Sequence, residues 1–301
     1  MQNFYAPHLL VRGGRYSASG SPDRDTVFND LRYMDGGRQT YVRHWRENEI
    51  VIYGASVKGI RLVKRAFKLC AKLLGAIAAL LLVTVLGVSA FFGVKGYNMY
   101  KDAVEQMPME ELVEDIRSAD NFIEYEELPD IYIDAVISAE DKRFFSHNGV
   151  DYIAIMRALI NDIRTMSFAE GGSTITQQLM KNEYFTQEKT LERKFAEIFA
   201  AWELEDICDK EEIFELYVNT IYFGSGYYGI YDAAQGYYEK EPSELTEYEA
   251  IMLAGLPNAP SAYSPDTNPE LARQRMKQVL NRMVECEVLS QTEADSIFYA
   301  G

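Results

Sequence analysis

From Leu73 to Val94 the chain runs for 22 residues without a charge, reading LLGAIAALLLVTVLGVSAFFGV. As a helix rising 1.5 Å per residue it would cover roughly 33 Å, enough for a hydrocarbon core of about 30 Å. A signal peptide would be shorter and nearer the N-terminus, and a buried core helix would be shorter too, so the pattern predicts one transmembrane helix over residues 73–94. After Asn121 apolar positions recur at helical spacing. Ile131, Ala135 and Val136 lead into a polar run, and Ile175 and Leu179 share one face. Phe195, Ile198, Phe199 and Trp202 form a stripe expected to face the core, with Arg193 and Glu197 opposite, and Met276, Val279, Leu280, Met283 and Val284 form another. Ser173 is expected to cap a helix through Asn182, and Thr190 one continuing to about Ile207. Thr246 with Glu249 and Ser290 with Glu293 fit the capping box, in which side chains satisfy free backbone N–H groups. Asn268-Pro269 places a cap and a first-turn proline before Leu271–Val288. The fold class predicted after the span is mainly α.

Residues 1–40, with Gly13-Gly14, Ser17–Pro22 and Gly36-Gly37, read as loosely ordered, and Gln39–Tyr53 as a short hairpin around Arg-Glu-Asn-Glu. Residues 95–120 read as an acidic helical stalk, and residues 121–301 as the main domain. No internal repeat is present. Charge divides the chain further: residues 1–72 sum to +7 and the whole chain to −16, leaving −23 after the basic N-terminal part. That sign excludes nucleic acid as the ligand of the large domain, because phosphate backbones need a basic surface. Lys58, Arg61, Lys64, Arg65, Lys68 and Lys72 precede the span, whereas Lys95 and Lys101 follow it. The positive-inside bias therefore puts residues 1–72 in the cytoplasm and everything after Lys95 outside. Cys70, Cys208 and Cys286 match neither a disulfide framework nor a metal motif.

Four segments carry polar groups that packing does not explain. In Ser138–Gly149, Glu140 and Asp141 end an apolar helical stretch, and spacing alone favours reading them as solvated acids. In Gly171–Asn182, Thr174, Gln178 and Lys181 fall at i, i+4 and i+7, a stripe of hydroxyl, amide and ammonium suited to an anionic ligand. The glycine pair allows close backbone approach, and a helix N-terminus favours negative charge, although the nucleotide-binding loop pattern is missing. In Arg193–Glu205, Arg193 and Glu197 form an i, i+4 pair whose default reading is a surface ion pair. The fourth segment, Lys210–Gly226, ends in a Gly/Tyr-rich turn.

In order and spacing these segments resemble the motifs of the family 51 glycosyltransferases, the peptidoglycan polymerases found alone or in class A penicillin-binding proteins. The Glu-Asp-x-x-Phe-x-x-His-x-Gly pattern falls on Glu140, Asp141, Phe144, His147 and Gly149. Gly-Gly-Ser-Thr-Ile-Thr-Gln-Gln-Leu-x-Lys-Asn matches Gly171–Asn182 without a gap, and Arg-Lys-x-x-Glu falls on Arg193, Lys194 and Glu197. Glu215, Tyr217, Asn219, Gly224 and Gly229 fit a fourth motif, and Leu253–Pro260 a fifth. The resemblance runs from about Asn121 to Gly301. One departure is Tyr238-Glu239, where the family has Phe-Gly before Lys240.

The resemblance implies a lysozyme-like domain that polymerises lipid II, a disaccharide-peptide on undecaprenyl pyrophosphate, into β-1,4 glycan strands with inversion. Carried over by motif, Glu140 is the base. Lys181 and Arg193 serve the leaving pyrophosphate, with Thr174, Gln178 and Lys194 in support and Asp141, Phe144 and His147 also in the substrate site. Glu197 is a second catalytic carboxylate near the donor phosphates, orienting these cations or a divalent metal (Mg or Mn), although no cofactor is required. The expected partners are lipid II, the growing strand, the bacterial plasma membrane and other cell-wall synthesis proteins. Serine nucleophile motifs of a transpeptidase domain are lacking up to Gly301, so the sequence reads as monofunctional. Two rivals stand against this: a glycan hydrolase, which needs two carboxylates flanking a sugar bond rather than a Lys/Arg cluster, and a non-catalytic scaffold.

Overall fold

The computed structural model describes residues 31–35, 38–44, 50–54, 57–165, 171–186 and 188–301. They divide into two units, Met1–Leu82 and Val83–Gly301. In the first, β1 (Leu31–Asp35), β2 (Arg38–His44) and β3 (Ile50–Gly54) form an antiparallel sheet in that order. β2 pairs with β3 from His44↔Ile50 to Thr40↔Gly54, which is the expected hairpin. Within residues 1–40, read as loosely ordered, β1 shows a strand over Leu31–Asp35. Its register with β2 runs from Leu31↔Val42 to Asp35↔Arg38. Residues 1–30 lie outside the described residues. α1 (Val57–Gln106) is 50 residues long and, among the described residues, the one helix long and apolar enough to cross a membrane. Leu73, Leu74, Ile77 and Leu80 on it are exposed.

The second unit is mainly α, as expected. It contains α2 (Met109–Arg117), α3 (Asp130–Glu140), α4 (Tyr152–Thr165), α5 (Ile175–Tyr184), α6 (Leu191–Ile207) and α7 (Lys210–Thr220). A small hairpin of β4 (Tyr222–Gly224) and β5 (Tyr227–Tyr228) follows. Then come α8 (Ile230–Tyr238), α9 (Glu247–Gly255), α10 (Pro260–Tyr263), α11 (Pro269–Glu285) and α12 (Gln291–Ala300). The core holds Tyr132 and Val136 from α3, Leu179 from α5, Phe214 and Tyr217 from α7, Ile251 and Leu253 from α9, and the predicted Met276, Val279, Leu280 and Met283 from α11. Capping boxes start α9 at Thr246 and α12 at Ser290, and Thr190 accepts from Arg193 N to start α6, all as expected. Asn268 sits at the cap position of α11 without a side-chain bond.

The structure corrects three local expectations. Residues 95–120 are no free stalk: α1 continues to Gln106, and α2 buries Met109, Leu112 and Ile116 in the core. Arg117 pairs with Glu212 at 2.9 Å, and Tyr184 Oη donates to Met107 O at 2.9 Å. The acids on the outer face of α2 masked its i, i+3, i+7 apolar stripe. The α6 stripe is inverted as well. Ala196, Glu197, Ala200, Ala201 and Leu204 are buried, while Trp202 is exposed. The large aromatics pack against the end of α1 instead: Phe199 meets the rings of Tyr97 and Tyr100 at 5.4 and 6.0 Å, and Tyr100 Oη donates to Glu203 at 2.8 Å. Gly96 makes that approach feasible, since a Cβ there would lie 2.4 Å from Phe195 Cβ and 2.7 Å from Glu192 O. Finally, Thr174 rather than Ser173 caps α5, in a reciprocal box with Gln177. The family departure at Glu239 has a conformational counterpart. Glu239 closes α8 in the left-handed region at φ 55°, where glycine is free of the Cβ penalty and a glutamate is not.

Candidate active site

The site is assembled where α3, α5, α6 and α11 converge. Glu140 is the last residue of α3, its side chain only 10% exposed. Its Oε2 accepts from Gln178 Nε2 at 3.0 Å, and its Oε1 lies 3.3 Å from Arg275 Nη2. Gln178 is held from its other end by Tyr217 Oη, which donates to Oε1 at 3.4 Å. Asp141 turns the opposite way, into the fold: its Oδ2 accepts from Ile175 N at 3.1 Å and lies 2.9 Å from His147 Nε2. The carboxylate thus satisfies a free N–H in the first turn of α5 and fixes that helix relative to the end of α3. Phe144 is fully buried against Phe214, with Lys210 Nζ 4.5 Å above its ring. Thr174 is buried too, donating from Oγ1 to Gly149 O at 2.6 Å.

The α6 contribution centres on Glu197, 1% exposed. Lys194 Nζ donates to its Oε2 at 2.6 Å and to Ser173 Oγ at 2.6 Å. Arg193 Nη1 lies 3.0 Å from Glu197 Oε1, yet that pair lacks hydrogen-bond alignment, and Arg193 Nε and Nη1 have no hydrogen-bond partner. The distance establishes an ion pair, and the misalignment leaves guanidinium donors unused. Burial pushes the Lys181 ammonium below its ordinary pKa, with Glu197 and Glu140 opposing that shift and Arg193 and Lys194 adding to it. Arg193 and Lys194 therefore flank one buried carboxylate, and Lys181 stands close enough to feel both it and Glu140, a concentration of cations that suits an anionic ligand.

Of the residues expected from sequence, Glu140, Gln178, Lys181, Arg193, Lys194 and Glu197 gather here. Asp141, Phe144, His147 and Thr174 lie beneath them as scaffold. This corrects the reading of Thr174, Gln178 and Lys181 as one polar stripe: Thr174 is the cap itself, so its hydroxyl is committed to backbone. Gln178 and Lys181 line a cavity of about 810 Å³ together with Asn182, Tyr217, Tyr222 and Tyr228. Arg193 lines a second, of about 610 Å³, with Lys95, Met99, Tyr184, Phe185 and Glu192. The two cations assigned to one pyrophosphate thus border different cavities, while being close enough to influence each other's charge. Glu197 fits a metal poorly, since each of its oxygens already faces a cation, and no group of three or more His, Cys, Asp or Glu positioned for a metal occurs among the described residues. Arg275 and Ser173 were missed as site residues from sequence. Ser173 adjoins the glycine pair and was assigned to capping, whereas no local signal marks Arg275.

The family model described as transglycosylase matches residues 106–284. Penicillin-binding protein 1A of Neisseria lactamica is 47% identical over 174 residues, which is 58% of this chain and 22% of that protein. Penicillin-binding protein 1A of Aquifex aeolicus is 47% identical over 164 residues, 54% of this chain and 23% of that protein. This chain therefore matches less than a quarter of the length of these relatives. Among solved structures, penicillin-binding protein 1A from Haemophilus influenzae aligns with 25% identity and a TM-score of 0.36, covering 59% of this chain and 17% of that one.

Proposed function

The chain belongs to the transglycosylase family, the family 51 glycosyltransferases, and from that membership we propose that it is a peptidoglycan glycosyltransferase, a hexosyltransferase that polymerises lipid II. The observation that carries the reading is the presence of two neighbouring groups, Glu140 held by Gln178 and the pair of cations on Glu197, with Lys181 close enough to feel the charge of both. In the proposed reaction the acceptor's 4-hydroxyl oxygen attacks C1 of the donor sugar, and Glu140 takes the hydroxyl proton. The C1–O bond to phosphate breaks with its electron pair leaving on undecaprenyl pyrophosphate, and attack opposite that bond converts the α linkage to β-1,4. Lys181, Arg193 and Lys194 offset the charge that grows on the departing oxygen. Glu197 keeps those cations in place, and the scheme needs no metal. A hydrolase would have no use for this cluster.

Incubating the purified protein with labelled lipid II and separating the products tests the reading: a ladder of glycan strands is expected, and recovery of unchanged lipid II alone would refute it. The same proposal places the chain in the bacterial plasma membrane, where enzyme and lipid-linked substrate share a two-dimensional phase. The basic flank before Leu73 supports a cytoplasmic N-terminus and an extracytoplasmic catalytic domain. Protease added outside intact spheroplasts is expected to digest the region after Lys95 and spare residues 1–72. Protection of residues 121–301 would reverse the orientation.

A further inference from the structure

We infer that Arg275 is a positioning residue for Glu140, fixing the plane of the carboxylate so that a free lone pair faces the acceptor hydroxyl; the inference rests on the reading of Glu140 as the base. Arg275 lies on α11, separated from Glu140 by 135 positions and outside every motif used above. Its side chain is 13% exposed, and three different nitrogens are engaged. Nε donates to Gly255 O at 3.1 Å, Nη1 to Gln278 Oε1 at 3.2 Å, and Nη2 to Glu140 Oε1 at 3.3 Å. The aliphatic stem is seated as well, because a Cβ added to Gly255 would lie 3.1 Å from Arg275 Cγ. The bare backbone at the end of α9 is what lets the stem lie there.

A glutamate at a helix end has three rotatable bonds, and one partner leaves its carboxylate free to swing. Here Gln178 from α5 holds Oε2 while Arg275 from α11 holds Oε1. Two anchors on two different helices determine the carboxylate plane. A carboxylate offers about four lone-pair sites, so about two remain for a proton. Because the guanidinium is tied to Gly255 and Gln278, it is not free to follow a moving substrate. That distinguishes it from Arg193, whose Nε and Nη1 are unused. Arg275 therefore acts through Glu140.

The test is steady-state polymerisation of lipid II by the full chain in detergent micelles. Arg275→Gln is expected to lower kcat by about 10- to 100-fold, since a misplaced reacting group costs on that order, with KM and Tm little changed. Arg275→Lys should recover part of the loss by keeping a cationic donor near Oε1. Gly255→Ala, which displaces the stem without altering any charge, should lower kcat several-fold with KM unchanged. Wild-type kcat in folded Arg275→Gln, a loss confined to KM, or a lysine variant no better than the glutamine one would each overturn the proposal. If Arg275→Gln fails to fold, Gly255→Ala decides, and unaltered kcat there is the refuting result. Glu140→Gln run alongside separates the two readings. If it polymerises normally, the base assignment is at fault; if it is inactive while Arg275→Gln is not, only the positioning role falls.

Discussion

Glu140→Gln is expected to abolish polymerisation while leaving substrate binding in place. The substitution keeps the shape of the side chain and an oxygen that can accept from Gln178 or Arg275, so the local packing has little reason to change. What disappears is the ability to take up a proton. A glutamine amide also presents an N–H₂ group where a second carboxylate oxygen stood, and one of the two anchors, Gln178 Nε2 or Arg275 Nη2, then faces a donor. The end of α3 should nevertheless hold, because Asp141 ties it to α5 independently, through Ile175 N. General-base assistance is worth about 10²–10⁴-fold, and a loss of that size in single-turnover rate with an unchanged dissociation constant for lipid II is the expected signature. Wild-type turnover in this variant would remove Glu140 from the chemistry.

The residues of this site were legible in unequal degree, and the reason is local in each case. Glu140, Gln178, Lys181, Arg193, Lys194 and Glu197 lie within motifs whose order and spacing survive in the sequence, and the fold brings them together. Thr174 was misread because the helix was started one residue early. The signal for the right start was present, since Thr174-Ile-Thr-Gln177 is itself a capping-box pattern. The burial of Glu197 was hidden by hydrophobicity: Phe195, Phe199 and Trp202 outrank Ala196, Ala200 and Ala201 on any such scale, so the face toward α1 was taken for the core. Small residues face the interior of α6 because α5 and α7 pack closely there. Arg275 had no local signal at all. Its role depends on a contact between distant segments and on the missing side chain of Gly255, neither of which periodicity can reveal.

Glu197→Gln is expected to cost at least about 10²-fold in turnover, and to do so by a different route from Glu140→Gln. Glu197 is the anion that both Arg193 and Lys194 touch, at 3.0 and 2.6 Å, and it opposes the shift that burial and neighbouring cations impose on Lys181. Replacing it with an amide leaves Lys181, Arg193 and Lys194 without that negative charge and turns an N–H₂ donor toward one of them. The long cations then separate by mutual repulsion. Lys194, whose side chain is 41% exposed, can swing into solvent, whereas Arg193, at 11%, has less room to leave. The donor pyrophosphate would lose an aligned partner and meet a disordered one, so part of the defect should appear as weaker donor binding and only the remainder in the chemical step. Raising lipid II concentration should therefore recover some activity in Glu197→Gln and none in Glu140→Gln. Equilibrium binding and single-turnover rates on the two variants decide between the roles. If Glu197→Gln abolished turnover with binding intact while Glu140→Gln kept the wild-type rate, the base would have to be reassigned to Glu197. The cations facing its two oxygens, at 3.0 and 2.6 Å, argue that it is already committed to holding charge in place.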